Sequence, residues 1–305
     1  MKFTIYQESH PGKRQNNEDR VTYCHSRGSL LMVVADGMGG HFYGEVASHI
    51  AVQTFVECFR HEARSRIRDP FLFLQKTINN AHHAIGDFTH ARRLNDSPRT
   101  TCVACIIQDN IAYWAHAGDS RLYLIRKGGI VSRTRDHSRV RVLLEKGLIS
   151  EREAAAHPER NKIYSCLGGP ESPEVDFSRK TPMESGDILM LCTDGVWDVL
   201  DDKTIVAILK SGDLRQAVPK MFEMIEARSG ASADNFSAVV VQWEDNYVDF
   251  SIDDSFISTQ AMPRDIMATK LDIFGHDPNY KTDLTDEEIE RAVAEIHNAI
   301  RKYSK

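Results

Sequence analysis

No stretch of the sequence is apolar for long enough to cross a bilayer. The longest markedly apolar run, residues 29–35, falls far short of the about 20 residues that a helical span needs. The first ten residues carry one lysine and no apolar core, so no secretory signal is apparent and the cytoplasm is the expected compartment. Cysteine is scarce. Six thiols (Cys24, Cys58, Cys102, Cys105, Cys166 and Cys192) in 305 residues cannot make a disulfide scaffold. Internal repeats and low-complexity tracts are missing, which excludes solenoids, collagens and mucins. A basic excess is missing too: residues 1–244 hold 31 Lys and Arg against 31 Asp and Glu, so general nucleic-acid binding is not expected.

What is present is the composition of a globular protein, with 41% hydrophobic and 27% charged residues. The formal net charge of −6 lies wholly in residues 245–305, where 7 basic residues meet 13 acidic ones. That shift makes residue 244 a candidate domain boundary. Beyond it, residues 245–284 alternate acids with aromatics around Pro263 and Pro278 and read as an acidic linker or wrap. Residues 285–305 open on Thr285-Asp-Glu-Glu288, a capping box. Ile289, Val293, Ile296, Ile300 and Tyr303 then follow at helical spacing, giving an amphipathic C-terminal helix.

Within residues 1–244, short runs rich in strand formers occur at 20–25, 30–35, 102–108, 111–117, 121–126, 188–192 and 237–243, with a weaker one at 3–7. Gln108-Asp109-Asn110 is a hairpin turn signal. Helical patterns cover 44–61, 70–92, 138–146, 202–210 and 214–228. Strands that follow one another through short connections pair antiparallel, which is not the alternation of a doubly wound sheet.

Carboxylates recur where these strands begin or end: Glu18-Asp19, Asp36-Gly37, Gly118-Asp119, Asp194-Gly195 and Asp234-Asn235. Each pair alone is a turn former. If the ends converge on one rim, they make an oxygen-lined site for hard divalent cations, Mg²⁺ or Mn²⁺. Glycine after Asp36 would let a cation approach the backbone carbonyl.

Taken in order, Arg14-Gln-Asn-Asn-Glu-Asp19, Val34-Ala-Asp-Gly-Met-Gly-Gly-His41, Thr100-Thr101, Ala117-Gly-Asp-Ser-Arg121, Asp136-His-Ser138, Cys192-Thr-Asp-Gly195 and Asp234-Asn235 are highly specific. The chain resembles the bacterial branch of the metal-dependent serine/threonine protein phosphatases of the PPM class, also called type 2C, over residues 5–243. The resemblance implies an α+β fold, a four-layer α-β-β-α sandwich of two antiparallel sheets flanked by helices. It implies a phosphatase catalytic domain in residues 1–244, hydrolysing phosphoserine and phosphothreonine on proteins by direct attack of a metal-bound water or hydroxide. The alternative is a phosphatase-like sensor or binding module with weak turnover.

By motif position, Asp36 would bridge two tightly held Mg²⁺ or Mn²⁺ ions. The Gly37 carbonyl and a water held by Glu18 would complete one side, and Asp194 and Asp234 the other. Asp19 would stand behind them, Asp119 would help hold a third, weaker ion, and Arg14 would bind phosphate. The catalytic set implied is Arg14, Asp36, Asp194 and Asp234. Animal members carry a histidine two residues after the bridging aspartate, where this chain has Met38. The identity of the leaving-group acid is open, with His41 nearby in sequence.

The implied partners are phosphorylated proteins and a cognate serine/threonine kinase, with neither nucleic acid nor membrane insertion. The C-terminal helix has two readings, docking on its own domain or on a partner. Residues 137–181 form a helical insertion, matching a mobile flap in bacterial relatives, with Gly168-Gly169-Pro170 as hinge or tight turn. Cys102 and Cys105 are spaced like a metal knuckle. In a strand, however, they face opposite sides, so core burial is expected rather than zinc. None of the 13 histidines is assigned to a metal.

Overall fold

The computed structural model describes residues 1–244, other than 39–42, 64–65, 156, 161 and 231–232, and also residues 258–261. Alternation along the strands decides the layering. In β3 (Ser29–Met38), Leu30, Met32 and Val34 point into one core while Leu31, Val33 and Ala35 point into another. A strand buried on both faces must lie between two apolar layers.

One sheet runs β1 (Phe3–His10), β12 (Phe236–Trp243), β11 (Ile188–Cys192), β7 (Arg121–Arg126) and β8 (Gly129–Arg133). The other runs β10 (Thr181–Pro182), β6 (Ile111–Ala117), β5 (Cys102–Gln108), β3, β2 (Asp19–His25) and β13 (Ser258–Ala261). Two short strands join it at the side, β4 (Arg99–Thr100) on β3 and β9 (Asp176–Phe177) on β6. All pairings are antiparallel.

Helices α1 (Gly44–Glu62) and α2 (Pro70–Arg92) cover the second sheet through Ile50, Phe55, Phe59, Leu74 and Ile85. Helices α6 (Asp202–Leu209) and α7 (Leu214–Arg228) cover the first through Ile205, Leu209, Val218 and Phe222, with the one-turn α5 (Asp194–Trp197) beside them. The sheets meet through Val103, Leu122, Leu124, Leu189, Val239 and Trp243. The expected four-layer sandwich is the architecture. Cys102 faces the helix side and Cys105 the inter-sheet core, both fully buried.

Local chemistry sets the boundaries. Asp69 caps α2 by accepting from the Leu72 amide at 3.1 Å, Pro70 follows at the first helical position, and Arg93 in the left-handed region ends the helix. Asp109 and Asn110 carry positive φ of 54° and 61°, making the tight turn that joins β5 to β6. The 137–181 insertion contains α3 (Arg139–Glu145) and α4 (Glu151–Ala155). Its Gly168 is an anchor more than a hinge: a Cβ there would meet the Pro98 carbonyl oxygen at 2.2 Å, and its amide donates to His82 Nδ1 at 3.1 Å.

β13 lies in the stretch read as a linker or wrap and pairs with β2, Ser258 opposite His25 and Ala261 opposite Thr22. The rest of 245–284 and the helix expected over 285–305 lie outside the described residues.

Candidate active site

The antiparallel order brings the carboxylate-bearing strand ends to one rim. Asp19 at the start of β2 stands opposite Asp36 near the end of β3. Asp119 sits at the corner where the chain leaves β6 in one sheet and enters β7 in the other. Gly118, with φ of 107°, makes that corner, and a Cβ there would meet the Thr101 side chain at 2.7 Å. Asp194 follows β11 and Asp234 precedes β12. A cleft of about 400 Å³ opens between the sheet ends, lined by Glu18, Asp36, Gly37, Asp119, Asp194 and Asp234 together with Arg14, Met38 and Asn235.

Neighbouring backbone and hydroxyl groups hold these residues rigidly. The Asp36 amide donates to Thr101 Oγ1 at 3.0 Å, and its carbonyl accepts from the Thr101 amide at 2.8 Å and Thr100 Oγ1 at 2.9 Å. The Glu18 amide donates to Asn235 Oδ1 at 2.8 Å, while Asn235 Nδ2 donates to the carbonyls of Pro11 and Asn16, both at 2.9 Å. One asparagine thus pins the loop carrying Arg14 to the sheet edge carrying Asp234. Gly37 is required by close approach: a Cβ would lie 2.2 Å from the Gly44 carbonyl oxygen and 2.7 Å from that of Glu18.

Asp119 is fixed from behind. Trp197 Nε1 donates to its carbonyl at 3.1 Å. The Arg121 guanidinium lies 3.6 Å over the Trp197 ring and forks onto Asp136 at 2.8 and 2.7 Å.

Asp19 is fully buried behind the cleft wall and does not line the cleft. Its Oδ2 accepts from Thr193 Oγ1 at 2.9 Å, tying one sheet to the other, while its Oδ1 is buried with no hydrogen-bond partner. Burial pushes its carboxyl up to about 7, although hydrogen bonds from Ser237 and Thr193 pull the other way. Desolvation, then the neighbouring Asp234, raises Asp194 to about 6. Desolvation also drives Asp36 well above the usual range, helped by Asp19 and Asp194, and does the same to Asp119, helped by Asp194 and Asp136. The lining cation on this acid cluster is Arg14, whose Nη2 donates to Asp234 Oδ2 at 2.8 Å.

Clustered acids with raised proton affinity, an unpartnered buried carboxylate oxygen and an all-oxygen donor set fit hard divalent cations. Residues 6–236 match the family model described as Protein phosphatase 2C.

The chain belongs to the protein phosphatase 2C family.

It is 31% identical over 231 residues to the serine/threonine phosphatase stp of Listeria monocytogenes, covering 75% of this chain and 91% of that one. The S. agalactiae serine/threonine phosphatase structure superposes with a TM-score of 0.73 at 27% identity, covering 80% of this chain and all of the other. The catalytic domain of the serine/threonine protein phosphatase PstP, solved with 2 manganese ions, gives 0.68 at 29% identity, covering 80% and 99%.

In this phosphatase, the sequence-based set Arg14, Glu18, Asp36, Gly37, Asp119, Asp194 and Asp234 shares one cleft, with Asp19 one layer behind. Met38 lines the cleft and has no proton to give a leaving group; His41 lies outside the described residues. Thr100, Thr101 and Asn235 belong to the motif stretches and Trp197 to none, but the contacts these four make were not legible, because they join distant segments.

Proposed function

We propose that this cleft is the active site, and that Asp36, Asp194, Asp234 and the Gly37 carbonyl hold two Mg²⁺ or Mn²⁺ ions, with Glu18 acting through a water. The chain is a metal-dependent serine/threonine protein phosphatase. The observation that carries the site assignment is the convergence of five carboxylates from both sheets on one cleft, faced by a single guanidinium. When bound, the cations supply charge neutralisation for the phosphate and lower the pKa of a water near neutral pH.

The chain's own residues do the rest. Thr100 and Thr101 hold the Asp36 backbone, which fixes the point from which its carboxylate projects into the cleft. Asp19 supplies negative charge from behind, and its Oδ1 has no hydrogen-bond partner. Arg14 spends one N–H on Asp234 and keeps the rest of its fork for phosphate oxygens, its side chain being 59% exposed. Asp119, clamped by Trp197, serves a weaker third cation. Phosphorylated proteins are the substrates, and the kinase chemistry that makes them is the natural counterpart of this reaction. The complete acidic set stands against a sensor without turnover. Among the described residues, no helix is long and apolar enough to cross a membrane.

Phosphate release from a phosphothreonine peptide and from p-nitrophenyl phosphate, with Mn²⁺ and with EDTA, tests this reading. Hydrolysis that needs the cation is the expected result. Retention of the peptide without phosphate release under all metal conditions would favour the binding module.

A further inference from the structure

A second group of potential ligands lies outside the carboxylate cleft and shares no residue with it. His116 in β6 stands directly opposite Asp176 in β9 across the strand pair. His137, just before α3, brings its ring to 4.7 Å from that of His116. One donor atom from each of the three lies within 4.8 Å of the others. Both imidazoles are buried, while the Asp176 side chain is 61% exposed and opens the group to solvent.

The hydrogen bonds decide which nitrogen of His116 keeps a free lone pair. His116 Nε2 lies 2.7 Å from the Arg135 carbonyl oxygen, so it carries the proton and donates. The lone pair is therefore on Nδ1, which is buried with no hydrogen-bond partner. A carbonyl fixing one ring nitrogen while the other stays bare is how metal-ligating histidines are oriented. Burial also pushes the His116 imidazole below its ordinary value, keeping it neutral at pH 7. His137 Nε2 faces Asp176 Oδ2 at 3.4 Å, and His137 Nδ1 receives the Gly118 amide in a long contact of 3.4 Å.

A hydrogen-bonded cluster alone would join His137 to Asp176 and leave His116 Nδ1 as an unpaired buried acceptor. A cation accepts all three donors. Zinc–ligand distances of about 2.0–2.2 Å require the group to tighten, and Asp176, exposed on a two-residue strand, is the member free to move. Two imidazoles and one carboxylate select a borderline transition metal over Mg²⁺.

We propose that His116, His137 and Asp176 form a separate site for Zn²⁺ or a similar divalent transition metal, with solvent completing the coordination. His137 would enter through Nε2 with its proton on Nδ1, ending the Gly118 contact. The group is not legible in the sequence because its three residues come from separate segments.

The test uses the full chain with Co²⁺ as probe, titrated in saturating Mg²⁺ so that the carboxylate cleft is held by a hard cation. The expected result is one Co²⁺ per chain with the visible absorption of a four-coordinate nitrogen-containing site. Asp176→Asn should weaken this binding by at least about tenfold, and His116→Gln should remove the absorption. Asp176 is exposed, so its variant should fold and should keep Mg²⁺-dependent turnover of p-nitrophenyl phosphate. Absence of the absorption in the unaltered chain, or equal Co²⁺ binding by the unaltered chain and Asp176→Asn, would overturn the proposal.

Discussion

Arg14 and Asp234, 220 positions apart in the chain, meet across the cleft at 2.8 Å. The pair joins the candidate phosphate-binding group to a candidate metal ligand. Each therefore holds the other in place before substrate arrives, and the hydrogen bond to Asp234 raises the Arg14 pKa further above its already high value.

Arg14→Ala should raise the KM for phosphopeptide and the inhibition constant for inorganic phosphate by about ten- to a hundredfold, the cost of losing hydrogen bonds to a charged group. Mn²⁺ binding should change far less. Steady-state kinetics with phosphate as product inhibitor read both constants, and an unchanged pair of values would remove Arg14 from phosphate binding.

Asp119→Ala should lower kcat while leaving two Mn²⁺ bound, because the two tight ions are assigned to Asp36, Gly37, Asp194 and Asp234 and Asp119 to the weaker third cation. Calorimetry and kcat on the same preparation check this. Loss of both tight ions would place Asp119 among their ligands.

Gly37→Ala should cost about 1–3 kcal/mol of stability through overpacking, since its Cβ would collide with the carbonyls of Gly44 and Glu18. Chemical denaturation in Mg²⁺ measures the loss. Stability equal to the parent chain would mean that α1 and β3 are not locked together at this contact.

The raised carboxyls give the metal-free protein a pH dependence with a definite sign. Asp19 and Asp194 titrate at about 7 and about 6 when folded, against an ordinary value of 3.8. The folded state therefore binds more protons than the unfolded state in that window. The stability these two groups contribute in EDTA should be fully present below the ordinary value and should be lost as pH rises from about 4 to about 7. Added Mn²⁺ should release protons and reverse the loss near neutrality. Melting curves in EDTA across this range check the direction, and a rising melting temperature would contradict it.

How far the sequence could be read depended on the range of the interaction. Strands written as short continuous apolar runs, such as Leu30 to Ala35, and helices with explicit caps, such as Asp69-Pro70, were legible because their determinants are local. Asp36, Asp194 and Asp234 were legible as carboxylates at strand ends. The two-residue strands β4, β9 and β10 were not, since each exists only by pairing with a neighbour. Asn235 reads as half of a turn signal, yet its side chain bridges Pro11, Asn16 and Glu18. The pairing of β13 with β2 likewise joins an acidic stretch to a strand more than 230 positions earlier.

That pairing bears on the tail. A chain ending at Asn246 should still hydrolyse p-nitrophenyl phosphate, because every cleft residue precedes it. The β2 edge from Thr22 to His25 would lose its partner, and exposed edges invite association. Hydrogen exchange should report faster exchange there, and light scattering a greater tendency to self-associate. Loss of small-substrate turnover in the folded short chain would mean that the tail contributes to the site itself.

The most direct test of the central claim is Mn²⁺ calorimetry on Asp36→Asn beside the parent chain, with turnover measured on the same samples. Asp36 lies in the cleft wall with its backbone fixed on both sides, so the substitution removes charge without moving the strand. Two tight Mn²⁺ are expected in the parent, with loss of tight binding in Asp36→Asn and a fall in phosphopeptide hydrolysis of at least about a hundredfold. Two tight ions and undiminished hydrolysis in Asp36→Asn would contradict that claim.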